Sequence, residues 1–267
     1  SHNAQIRVVD SATGYSWVRD DTDNFSIIGE ITITQPNGSD WTVGETNRKI
    51  TWTKKGDMGN LNIFVDYGSG YGGSPLATVA DSAGEWAWNP IPNQISETVK
   101  VKVEDIGEEV YTSTESVNFR IIGSLDLTYP DGGQELVVGS STQVRWVKYG
   151  SIGNLKIEFS KDNGSSWLSA AQSNLSDSWP AGSDGPTEAT YDWTVPDQIS
   201  SQCLVKISTT AYPIGTETLS DTSSAVFNIK GGFSAVSEPA AGVKIYVADP
   251  QNITWNANGS MRAVDID

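Results

Sequence analysis

The chain has 267 residues, room for two or three ordinary domains, and its 37% hydrophobic and 19% charged residues describe a globular rather than a disordered protein. With 17 basic against 33 acidic residues the net charge is −16, a field that repels nucleic acid and anionic membrane and argues against both as partners. No run approaches the roughly 18 apolar residues of a membrane span, and the N-terminus lacks the apolar stretch of a secretory signal.

Residues 1–29 read as two strands. Gln5 to Asp10 aligns with Lys100 to Asp105 further along, and Phe25-Ser26-Ile27 closes the segment. They are expected to be the C-terminal strands of an incomplete β-sandwich repeat. Residues 30–123 hold a complete repeat. It contains Pro36, Ile50-Thr51-Trp52, Trp86-Ala87-Trp88 and a closing Phe119-Arg120-Ile121. Within it Val99, Val101 and Val103 alternate with Lys100, Lys102 and Glu104, the period of a strand with one buried face.

Residues 124–231 repeat the layout with Pro130, Val144-Arg145-Trp146, Tyr191-Asp192-Trp193 and Phe227-Asn228-Ile229. A longer loop is expected here, its extra residues falling mostly between Asn174 and Pro186. Residues 232–267 carry Pro239 and Ile253-Thr254-Trp255, the N-terminal strands of another incomplete repeat. The three tryptophans Trp52, Trp146 and Trp255 lie roughly 94 and 109 residues apart, a repeat period. Asp131-Gly132-Gly133 and Asp162-Asn163-Gly164 mark turns, and no segment shows a convincing helical period. About seven short strands per repeat predict an all-β fold of tandem immunoglobulin- or fibronectin-III-like β-sandwich domains. Linkers are almost absent, which predicts a rod-like array.

The first repeat runs Pro-Asn-Gly-x-x-Trp-x-Val-Gly from Pro36, then Ile-Thr-Trp, a Trp-x-Trp stretch with prolines, and Phe-x-Ile. This layout resembles the Ser/Thr-rich cell-wall repeat of fungal GPI-anchored proteins and similar repeats of large bacterial and archaeal surface proteins. The resemblance implies a β-sandwich in cell-envelope architecture and brings no catalytic residues.

The single histidine, His2, and the single cysteine, Cys203, leave no ordinary Ser-His-Asp, Cys-His or His-metal arrangement. The expectation is a non-enzyme without cofactor. Cys203 alternates with Val205 and Ile207 and reads as a small core residue. Acidic loops suggest a calcium alternative through Asp20, Asp21, Asp23, Asp105, Glu108 and Glu109, with Asp177 and Asp184 as a further pair; solvated loops are the simpler reading. Ser160 to Trp167 has the S-x-D-x-G-x-x-W pattern of an Asp-box, a hairpin element rather than a catalytic one. Trp52, Trp146 and Trp255 read as core pins. Trp17, Trp41, Trp167 and Trp179 have no such assignment, and Trp41 and Trp179 are the candidates for stacking on a glycan. Asn24, Asn37, Asn163, Asn174, Asn252 and Asn258 stand in N-x-S/T triplets, candidate glycosylation sites.

The expected role is structural and extracellular, in a filament, sheath, stalk or surface layer. The expected partner is the chain itself, in a head-to-tail or lateral homopolymer. The alternative is an adhesive module that binds cell-surface polysaccharide. Two accounts of the incomplete repeats stay open: an excerpt from a longer repeat protein, or strand addition between subunits.

Overall fold

The computed structural model describes residues 3–107, 112–176 and 178–266. They form two compact units, 1–122 and 123–267, each taken by itself.

The first unit opens with a hairpin, β1 (Arg7–Val9) and β2 (Arg19–Asp21), in which Val8 lies opposite Asp20. A sandwich follows. One sheet has β3 (Glu30–Gln35), β5 (Arg48–Lys55) and β8 (Glu85–Trp88) in the order β3-β5-β8. The other has β4 (Trp41–Thr42), β6 (Asn60–Asp66), β7 (Ala77–Ala80), β9 (Ser96–Asp105) and β11 (Phe119–Ile122) in the order β4-β11-β9-β6-β7. The short β10 (Ser113–Glu115) lies against β9. All pairings are antiparallel except β4 with β11, which is parallel. In immunoglobulin terms the sheets are A-B-E and A′-G-F-C-C′, the first strand having split between them. Pro36 sits at the split, where its missing N–H ends the β3 ladder.

Alternation builds the core as the sequence requires. In β9, Val99, Val101 and Val103 are buried, while Lys100, Lys102 and Glu104 reach toward solvent. Ile50 and Trp52 of β5, Trp88 of β8 and Phe119 of β11 close the interior. The Trp52 indole N–H donates to the Asp81 carbonyl at 3.2 Å, so the ring is buried without stranding its polar edge.

The second unit repeats this order. Its sandwich has β12 (Ser124–Tyr129), β14 (Ser141–Tyr149) and β17 (Gly185–Thr194) in one sheet. The other holds β13 (Glu135–Val137), β15 (Asn154–Ser160), β16 (Trp179–Pro180), β18 (Ser200–Thr209) and β20 (Phe227–Lys230), with β19 (Ser220–Thr222) on β18. Here β13 runs parallel to β20, as β4 does to β11. Trp146 donates its indole N–H to Ala181 O at 2.9 Å, and Trp193 to Ser173 O at 2.7 Å. A final hairpin, β21 (Gly232–Glu238) and β22 (Thr254–Asn258), sets Val236 opposite Trp255.

The chain is thus all-β, with tandem immunoglobulin-like sandwiches. The added length of the second repeat lies elsewhere than between Asn174 and Pro186 alone. A four-residue helix, α1 (Ala170–Ser173), precedes that stretch, and β17 has ten residues where β8 has four. Polar strand residues such as Thr187, Glu188 and Thr190 read as loop in the sequence because they lie on exposed strand faces.

Candidate interaction surfaces

A side-chain clasp recurs three times and was invisible to sequence comparison. A hydroxyl on the G strand accepts the main-chain N–H of a core aliphatic on the F strand. Ser116 does so for Val101 and Ser223 for Val205, each at 3.0 Å. In the first hairpin Thr22 does it for Ile6 at 3.0 Å. By this contact, and by the Ala4–Phe25 bridge, β1 and β2 are an F–G pair. By register, β21 and β22 are an A–B pair: Phe233 and Val236 face Ala257 and Trp255, as Leu125 and Leu127 face Lys148 and Trp146.

The two pairs differ from their counterparts in exposure. Val8 is 68% exposed where Val103 is 0%, and Val236 is 70% exposed where Leu127 is 2%. Ile6, Phe25 and Ile27 on the first hairpin are exposed as well. On the last hairpin Phe233, Val236, Ile253, Trp255, Val264 and Ile266 line an open apolar cleft of about 260 Å³.

The start of each repeat is held closely. A side chain on Gly29 would come within 2.8 Å of the Met58 sulfur, and one on Gly231 within 2.8 Å of Met261 Cγ. Tyr212 Oη accepts the Gly123 N–H at 2.8 Å, and Thr112 Oγ1 donates to Gly29 O at 2.6 Å. Asp197 accepts both the N–H of Ser260 at 2.9 Å and its hydroxyl at 2.5 Å, which fixes the last hairpin to the second sandwich. The Ser260 hydroxyl holds the Asp197 carboxyl below its ordinary value.

Of the two glycan candidates, Trp41 is corrected. Its ring is 1% exposed, packed between Trp88 and Phe119 with centroids at 5.8 and 5.0 Å, so neither face can meet a sugar. The two-residue strand β4 is too short for alternation to reveal that it is buried. Trp179 is 39% exposed and sits edge-on to Tyr191 at 4.8 Å. Trp17 is exposed at the tip of the first hairpin, and Trp167 is half-buried beneath Lys206, whose Nζ is 4.1 Å from the ring centroid.

The acidic candidates do not converge. Asp20 and Asp21 are neighbours in a strand and so point to opposite faces. Asp21 is held by Arg7 at 2.6 and 3.0 Å, and Asp20 accepts the N–H of Asp21. Asp23 lies in the exposed turn after β2, and Asp105 accepts the Gly107 N–H. Glu108 and Glu109 lie outside the described residues, as does Asp177, while Asp184 pairs with Lys148. Among the described residues no group of three His, Cys, Asp or Glu side chains is placed to hold a metal ion. Ser160, Asp162, Gly164 and Ser166 form a self-bonded turn, the hairpin role expected of an Asp-box. Asn24, Asn37, Asn163, Asn174, Asn252 and Asn258 are all exposed, and Asn174 spends its amide on Thr194 O. Burial pushes the Cys203 thiol up to about 11, and no helix among the described residues is long and apolar enough to cross a membrane.

No known family profile and no curated protein matches the chain. Solved tandem modules do. Fibronectin(III)-like modules of Clostridium thermocellum CbhA share 14% identity, covering 75% of this chain and 94% of that one at a TM-score of 0.25. Rst D1-D2 shares 11%, covering 75% and 100% at 0.26. Titin domains Z1Z2 share 12%, covering 75% and 96% at 0.25. At these values the sandwich assignment rests on the strand order and register of this chain alone.

Proposed function

We propose that the protein is a structural segment of an extracellular surface assembly that associates with copies of itself. The observation that carries this reading is the pair of hairpins with uncovered apolar faces beside two sandwiches whose equivalent faces are buried. Large exposed apolar faces mark association surfaces. The acidic charge, the six exposed N-x-S/T asparagines and the resemblance to cell-wall repeats support placement outside the cell. Immunogold labelling of intact producing cells tests the placement. Label on the outer surface, lost on surface proteolysis, is expected; antigen seen only after lysis overturns it.

A second reading, an adhesive module for polysaccharide, is favoured by Trp179. Its exposed ring stands edge-on to Tyr191 beside the Asn154–Ser178 side-chain pair, an aromatic platform with polar neighbours. Trp179→Ala abolishes polysaccharide pull-down on this reading, with the fold unchanged by circular dichroism. Equal pull-down by both proteins removes it.

A further inference from the structure

In the second sandwich the A strand is joined to the G-strand side by a fixed set of contacts. Asp221 accepts the Leu127 N–H at 2.7 Å, and Ser223 Oγ donates to Pro130 O at 2.7 Å. The A′ strand β13 then runs parallel to β20, with Leu136 beside Ile229 and Val137 beside Lys230. In each sandwich the A′ strand pairs with the G strand and with no other strand.

The last hairpin carries the same A′ segment without a ladder. After Pro239, residues 244–246 stand at the place of Glu135–Val137, and Val247 stands at the place of Val138. The match extends to the backbone: Ala248 has φ 73° where Gly139 has 78° and Gly44 has 84°. The segment thus holds the turn of an A′ strand, yet it belongs to no sheet, and Val247 is 100% exposed. What such a segment pairs with in this protein is a G strand. The first hairpin supplies a G arm at residues 25–28, with Ile27 and Ile28 exposed.

We infer that the last hairpin of one copy closes over the first hairpin of another, A–B against F–G, with residues 244–246 added parallel to residues 25–28. In the register of the second sandwich, Ile245 lies beside Ile27 as Leu136 lies beside Ile229. This rests on the self-associating reading above and names its surfaces. The contact is head-to-tail between unlike faces, so it propagates as an open chain. The joint has no counterpart of the C, C′ and E strands. It is therefore smaller than a complete sandwich core, and a dissociation constant of about 1–100 μM is expected.

Sedimentation velocity of the full chain tests this between about 1 and 300 μM, a range bracketing that constant. The weight-average sedimentation coefficient should rise steadily with concentration. Val8→Asp and Val236→Asp change exposed residues outside both sandwiches, and each alone should stay monomeric. Mixed in equal amounts they should form a 1:1 dimer and stop there, since each keeps the one intact face the other needs. Ile245→Pro should weaken association at least tenfold by removing a ladder N–H. Three results overturn the inference: a wild-type monomer at the highest concentration, association that survives Val8→Asp or Val236→Asp, or a mixture that stays monomeric. A protein that labels the cell exterior yet stays monomeric loses this joint and keeps its surface placement.

Discussion

Thr22 Oγ1 accepts the Ile6 N–H at 3.0 Å, the contact Ser223 makes with Val205 inside the second sandwich. The same bond is therefore made once in the open and once in the core. Ser223 is 7% exposed and also donates to Pro130 O, so its removal strands a buried donor and a buried acceptor. Ser223→Ala is expected to cost about 2–3 kcal/mol, and Thr22→Ala, at an exposed site, under about 1 kcal/mol. Paired urea titrations measure both; equal losses would refute the assignment of the clasp to the core.

Trp146 offers a sharper test of how the sandwich is sealed. Its ring is fully buried, and its N–H satisfies the Ala181 carbonyl in the connection to β17. Trp146→Phe keeps an aromatic ring but loses that bond and opens space, with an expected cost of about 2–4 kcal/mol. Trp255→Phe, at the equivalent position of the last hairpin, faces an open cleft and is expected to leave the melting transition of the sandwiches unmoved. Differential scanning calorimetry separates the two outcomes.

The sandwich was legible in the sequence because its signals are long. Ten-residue strands such as β9 display alternation over several periods, and Trp52, Trp146 and Trp255 mark the same strand three times. The clasp was not legible, since Thr22 and Ser116 precede their phenylalanines by a different interval than Ser223 does, and hydroxyls are common in strands of this chain. Trp41 misled because Asp40 and Thr42 flank it with polar side chains on a strand of two residues. The apolar hairpin faces follow the expected alternation. Their exposure is a property of three-dimensional packing, which a one-dimensional pattern does not carry.

Cys203 lies on β18 with its sulfur buried, and the thiol donates to Ser200 O at 3.3 Å. Burial raises its pKa to about 11, so at pH 8 almost none of it is thiolate in the folded state. A thiol reagent is expected to label the native protein at the rate of local opening and the urea-unfolded protein at the rate of a free cysteine. Mass spectrometry after timed labelling reports the difference. Comparable rates in the two states would show that β18 is not the sealed strand described above.

Asp162 accepts the N–H of Ser166 at 2.8 Å and interacts with the hydroxyls of Ser166 and Ser160. These bonds, led by that of the Ser166 hydroxyl, lower its pKa from 3.8 to about 2. The folded value lies below the unfolded one, so the carboxylate stabilises the fold fully above the unfolded value. That contribution is lost as pH falls through the folded value. Between about pH 4 and pH 2 the wild type is therefore expected to lose melting temperature faster than Asp162→Asn, and the gap between them to close at the acid end. At neutral pH the variant melts lower, because the amide repeats only part of the turn's hydrogen bonding. A constant gap across the whole range would mean that Asp162 acts through shape alone, with its charge contributing nothing to the turn.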